Sequence, residues 1–75
     1  MPLILVKAYS GRDIESKKKM AQAMVKAASE ASGIDENRFT VIDEDIEKEA
    51  WEQQVTKPVV EPLRDKIIIE RGKLL

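Results

Sequence analysis

Between Leu3 and Asp43 the spacing of apolar side chains changes from two to about three and a half and back again, and few folds accommodate that change. Leu3–Tyr9 is aliphatic and aromatic almost throughout, with Ile4, Val6 and Ala8 alternating with Leu3, Leu5, Lys7 and Tyr9. A strand apolar on both faces for most of its length fits this run. Ser10, Gly11 and Arg12 break it, and Asp13 stands where an N-cap carboxylate accepts backbone N–H groups of the following turn. From Ile14 to Ser32, Met20, Ala21, Met24, Val25, Ala28 and Ala31 recur at threes and fours, with Lys18, Lys19, Gln22, Lys26, Ser29 and Glu30 filling the rest. This spacing predicts an amphipathic helix, with Gly33 as its C-terminal stop. Alternation returns over Arg38 to Asp43, where Phe39 and Val41 interleave with Thr40 and Ile42, and predicts a second strand.

A strand, a helix of about five turns and a strand make a βαβ unit, whose crossover renders the two strands parallel. The expected class is α+β, with one domain over residues 1–75. Two strands with a helix on one face leave the other face and the edges uncovered. A chain of 75 residues also buries only about 60% of its unfolded surface. Both arguments predict that copies of the chain associate and join their sheets.

After Asp45 the signal is weaker. Glu47 to Gln54 suits a short helical segment around Trp51, Pro58 and Pro62 restrict the backbone beyond it, and Lys66 to Glu70 is compatible with a short β segment or a helix end. Lys17, Lys18 and Lys19 form a small charge run that reads as a solvated helix face.

Composition narrows the chemistry. The chain has no cysteine and no histidine, so thiolate metal sites, disulfides and the usual base near neutral pH are all excluded. Thirteen Lys and Arg against fourteen Asp and Glu leave a formal charge of −1, which supplies no global field for a polyanion, and nucleic acid is not an expected partner. The opening MPLILVKAYSGRD lacks a basic n-region and has a short apolar run, so neither a signal peptide nor a membrane span is expected there, and a cytoplasmic location is.

Three residues remain as candidates for a site. Pro2 follows the initiator methionine, whose removal would leave a free secondary amine; otherwise it is a proline tolerated at a strand start. An α-amine titrates at about 7.7–8.0, and desolvation or a nearby cation lowers that value toward the range where a general base works best. Arg12 is placed to form a bidentate pair with a substrate carboxylate, or to be an exposed charge at the start of the helix. Trp51, the single tryptophan, is either an apolar wall or core packing. Asp43, Glu44, Asp45, Glu47 and Glu49 lack the spacing of a hard-cation loop and read as surface charge, so no metal is expected.

An initial Met-Pro, an apolar strand, Gly11-Arg12 about ten residues on, an amphipathic helix and a second strand near residue 40 together resemble the 4-oxalocrotonate tautomerase family. The stretch from Pro2 to Ile42 aligns with that pattern without a gap, with Gly11-Arg12 on the family's Gly-Arg step and Trp51 on its active-site aromatic. The tail AWEQQVTKPVVEPLRDKIIIERG resembles the longer-tailed dimeric bacterial branch more than the short hairpin of the hexameric enzymes, which favours a dimer.

The resemblance implies a cofactor-independent keto-enol isomerase. In it Pro2 is general base and acid toward a small enol or 2-oxo acid, Arg12 binds a carboxylate, and Trp51 is a wall that keeps the amine's pKa low. Thr40 occupies the place of the short enzymes' second arginine; Arg38 is the nearest substitute, with Arg64, Arg71 and Lys7 as further cations. Two alternatives use the same residues differently. The prolyl amine could serve a hydratase, dehalogenase or decarboxylase with Glu44, Glu47 or Glu52 activating water, or the chain could be a non-catalytic oligomeric binding module.

Overall fold

A computed structural model describes residues 1–75. Backbone contacts group the chain into two compact units, Met1–Asp45 and Ile46–Leu75.

In the first unit, strand β1 (Leu3–Tyr9), helix α1 (Ile14–Ser32) and strand β2 (Thr40–Ile46) follow one another, β2 running one residue beyond the unit. The two strands form a two-stranded sheet. Their direction is visible in two contacts. The Thr40 N–H donates to the Pro2 carbonyl at 3.1 Å and Lys7 Nζ donates to Glu44 at 3.2 Å, so moving up one strand moves up the other and the pair is parallel.

Local chemistry accounts for the helix boundaries. The Asp13 carboxylate accepts from the Ser16 N–H at 2.7 Å, and the same hydrogen bond lowers its pKa below the usual carboxylate value. At the other end Gly33 adopts φ 78°, a left-handed conformation that a side chain disfavours, and its N–H donates to the Ser29 carbonyl at 2.9 Å. Gly11 takes φ 112°, turning the chain sharply between the end of β1 and Arg12.

The second strand differs from its expected range. Residues Glu36–Arg38 form a single 3₁₀ turn, capped by the Asp35 carboxylate on the Asn37 N–H at 2.9 Å, and β2 begins only at Thr40. Arg38 therefore does not lie on the strand with Thr40. The expectation over Arg38–Asp43 weighed side-chain alternation and overlooked that Asp35 nucleates a turn. At its far end β2 carries three further residues, Glu44 to Ile46, because Asp43 and Asp45 have partners that offset their poor strand propensity.

Each face of the sheet has its own character. Val41 lines a cavity of about 230 Å³ with Ala21, Gln22 and Val25 of α1, so the face carrying Val41, Asp43 and Asp45 looks toward the helix. Lys7 and Glu44 pair on the opposite face, where Leu3, Leu5, Tyr9 and Ile42 are exposed by 60, 47, 50 and 44%. Ile4, Val6 and Ala8, on the helix side, are half-buried. A strand apolar on both faces thus has one face covered and one bare.

In the second unit, a 3₁₀ turn at Lys48–Ala50 leads through Trp51 into π-helical backbone over Glu52–Val60, closed by a bond from the Glu61 N–H to the Thr56 carbonyl at 2.9 Å. The expected segment Glu47–Gln54 is helical but runs six residues further, through Pro58. The wider turn is where a residue without an N–H sits in a helix that does not stop. A further 3₁₀ turn, Arg64–Lys66, precedes a hairpin of strands β3 (Ile69–Glu70) and β4 (Lys73–Leu74), paired Ile69 with Leu74 and Glu70 with Lys73. Lys66 to Glu70 thus holds both a helical end and a strand. Arg71 and Gly72, both at positive φ, form the two-residue turn that matches strand twist.

Only Ile46 and Val55 are buried, at 4 and 5% exposure, and no side chain is fully covered. So few covered side chains leave a single copy with little hydrophobic stabilisation. No helix is long and apolar enough to cross a membrane.

Candidate active site

Pro2 is half-buried at the start of β1, and its carbonyl accepts the Thr40 N–H, which ties the N-terminal residue to the first residue of β2. Arg38, exposed in the turn just before β2, belongs to the same end of the sheet. These two expected site residues are brought to one end of the sheet.

Arg12 is not with them. It follows β1, and the six steps of that strand alone span about 20 Å. Its guanidinium reaches β2 at Asp43 and Asp45, about 10–17 Å along the strand from Thr40. Nη1 donates to Asp43 Oδ2 at 2.9 Å, and Nη2 donates to Asp43 Oδ1 at 2.6 Å and to Asp45 Oδ1 at 3.0 Å. Lys17, one turn into α1, donates to the other Asp45 oxygen at 2.7 Å. The hydrogen bonds that Arg12 donates to Asp43 raise the Arg12 pKa above its ordinary value, against the opposing effect of desolvation, so the group is always charged. The bond from Lys17, with Arg12 assisting, lowers the Asp45 pKa, so that carboxylate is ionised at neutral pH. Arg12 Nε is covered and has no hydrogen-bond partner.

Asp43 and Asp45 are the residues whose role the sequence reading missed. The Asp43 side chain is only 11% exposed, which is not surface charge. Strand parity carries the signal: spaced by two, both carboxylates share the face of Val41 and look toward the helix that supplies Lys17. Which cation they meet depends on the turn at Gly11.

The remaining cations are accounted for by other pairs or by position. Lys7 is bonded to Glu44, Arg64 donates to Glu70 at 3.2 Å, and Arg71 lies in the hairpin turn. Trp51, half-buried, follows the 3₁₀ turn of the second unit.

Comparison with known proteins identifies the family. The family described as "Tautomerase enzyme" matches residues 2–60, beginning at Pro2 and including both strands, α1 and Trp51. A protein from Xylella fastidiosa (strain 9a5c) named "Probable tautomerase" is 29% identical over 72 residues, covering 96% of this chain and 88% of that one. No solved structure matches significantly. With more than half of its length matched, and with the β-α-β order and parallel strands in place, the chain belongs to the tautomerase enzyme family.

Proposed function

We propose that the protein is a cofactor-independent keto-enol isomerase of the 4-oxalocrotonate tautomerase type, in which the Pro2 amine, freed by removal of Met1, moves a proton within a small enol or 2-oxo acid. The observation that carries this reading is the placement of Pro2: half-buried, anchored through its carbonyl to Thr40, and the first residue of the family match. The anchoring bond uses only the carbonyl, leaving the nitrogen available for chemistry. An α-amine of pKa about 7.7–8.0 needs only a small downward shift to act as base near neutral pH and as acid in the return step.

The reaction needs one proton to leave the enol oxygen or a carbon and one to arrive at another carbon. A single amine serves both steps if the substrate is held in place between them. Arg12 is the proposed carboxylate receptor, Trp51 the apolar wall, and Arg38 the cation available at Pro2's own end of the sheet.

Because Pro2 and Arg12 flank opposite ends of β1, one copy does not unite them, and the proposed site forms between copies. The exposed face of Leu3, Leu5, Tyr9 and Ile42 is the surface that such assembly would cover. A homo-oligomer follows, with a dimer favoured over a hexamer by the length of the tail.

The test is ketonisation of 2-hydroxymuconate and phenylenolpyruvate, followed by ultraviolet absorbance, with Met-free protein beside its Pro2→Ala variant. Activity that collapses in the variant supports the prolyl base. Rates at the buffer level in both proteins would sink the proposal for these substrates.

A further inference from the structure

We propose that Tyr9 is a catalytic residue supplied by a second copy of the chain: its hydroxyl donates to the substrate oxygen on which charge develops while Pro2 carries the proton. The inference rests on the reading of Pro2 as the base. It adds a residue and a pairing of copies that this reading leaves open.

Strand parity shows which edge is open to another copy. The Pro2 carbonyl points at β2, where it accepts the Thr40 N–H. Backbone groups of successive residues point to opposite sides of a strand, so those of Ile4, Val6 and Ala8 also turn toward β2. Leu3, Leu5 and Lys7 turn theirs to the other edge, and the sheet has two strands only. That edge carries one charged side chain, Lys7, which Glu44 neutralises. Such an edge accepts a further strand. The outer edge of β2 is blunted instead, because Asp43, Glu44 and Asp45 of two copies would meet like charge. Pairing β1 with β2 of the next copy is head-to-tail and repeats without closing into a pair. A two-fold pairing of β1 with β1 is what remains.

This two-fold runs the strands antiparallel and sets the start of one beside the end of the other. Overlap along all of Leu3–Tyr9 centres it on Val6, so that Leu5 opposes Lys7 and Leu3 opposes Tyr9 of the second copy. The two Lys7 side chains are then not directly opposed. Opposed Cα atoms lie about 4.5–5.5 Å apart, and Pro2 is one step of about 3.4 Å before Leu3. Within one copy, by contrast, Pro2 and Tyr9 are separated by the whole strand, about 23 Å.

The chemistry selects Tyr9 among the neighbours. The Pro2 nitrogen takes the enol O–H proton and leaves that bond's electron pair on oxygen. The pair then forms the carbonyl as the former C=C pair takes the proton back at carbon, and nothing else is consumed. Between the two transfers the oxygen is negative, and a fixed donor stabilises it. Three side chains on the bare sheet face are able to donate: Lys7, Tyr9 and Thr40. Lys7 is held by Glu44 at 3.2 Å. Thr40 belongs to β2, one strand farther from the seam. Tyr9, 50% exposed, stands at the seam itself, and a tyrosine hydroxyl donates without adding charge.

Tyr9→Phe removes only the hydroxyl. In Met-free protein it is expected to lower kcat on phenylenolpyruvate by about tenfold or more, with a smaller change in KM and the wild-type sedimentation behaviour. Refolding it together with Pro2→Ala tests which copy supplies the group. In a mixed pair one site carries both lesions and the other carries neither, so an equal mixture should recover about a quarter of the wild-type rate. The pairing is read without turnover. The chain has no cysteine, and positions 3 and 9 of one copy are too far apart to bond, so oxidised Leu3→Cys/Tyr9→Cys protein should run as a covalent dimer.

An unchanged kcat in Tyr9→Phe would overturn the catalytic role, no recovery in the mixture would overturn the origin in a second copy, and no covalent dimer would overturn the pairing. Wild-type protein that forms the covalent link in its cysteine variant but shows no turnover would locate the failure in the reading of Pro2, and the role of Tyr9 would fall with it.

Discussion

Arg12 and Asp43 meet edge to edge, Nη1 on Oδ2 at 2.9 Å and Nη2 on Oδ1 at 2.6 Å, joining the β1–α1 connection to the middle of β2 across 31 residues of sequence. Two parallel bonds require a planar fork, which lysine lacks. Arg12→Lys is accordingly expected to lower the thermal midpoint. Arg12→Ala should lower it further, because it leaves the largely covered Asp43 carboxylate without a charged partner. Thermal unfolding by circular dichroism at neutral pH compares the three proteins, and equal midpoints would mean that the pair adds nothing to stability.

Replacement of Pro2 separates chemistry from folding. In Met-free protein, Pro2→Ala keeps the carbonyl that accepts the Thr40 N–H but exchanges the proposed secondary-amine base for a primary amine. A loss in kcat of about a hundredfold is expected, in the range usual for a displaced general base. The midpoint should change little by comparison. Steady-state kinetics on an enol substrate together with a melting curve provide both quantities.

Acid sensitivity follows from the lowered pKa of Asp45, caused first by the Lys17 hydrogen bond. A group whose folded pKa lies below its unfolded value contributes its full stability above the unfolded value, about 3.9 for Asp. That contribution is lost as the pH falls through the lower folded value. Asp13, lowered by its bond from the Ser16 N–H, has the same sign. Midpoints measured between about pH 5 and pH 2.5 should therefore fall on acidification, less steeply in Asp45→Asn than in the wild type.

Gly33 offers a test of the helix stop. No heavy atom lies within 4 Å of a Cβ built there, so Gly33→Ala meets no steric barrier and only the φ of 78° opposes it. The expected destabilisation is about 1 kcal/mol, or a fall of about 4–8 °C in midpoint for a chain of this size. An unchanged midpoint would show that the backbone relaxes out of the left-handed region without penalty.

The bare sheet face predicts assembly. Leu5→Lys places a charge among Leu3, Tyr9 and Ile42, and sedimentation should show an oligomer for the wild type and a smaller or unfolded species for the variant. A wild-type monomer at micromolar concentration would remove the basis for a site built between copies.

Much of the first unit is legible along the chain because its signals are local. The strand over Leu3–Tyr9 and the helix over Ile14–Ser32 coincide with their apolar periods, and Asp13 and Gly33 cap where their side-chain and backbone preferences place them. These features arise within one or two turns of backbone, where neighbours in sequence are neighbours in space. The second strand is less legible. Its start is displaced by a turn that Asp35 caps, and its end extends because Asp43 and Asp45 find cations 28 to 33 residues away.

Sequence by itself therefore determined the β-α-β order, the family resemblance and the candidate proline, all of which depend on period, local capping and residue type. Tertiary structure alone decided where the charges act: it turned two carboxylates into partners of Arg12 and Lys17, 28 to 33 residues away in sequence. The reason is physical. Ion pairing depends on distances between residues remote in sequence, and those distances exist only after the strands have paired and the helix has packed against one face.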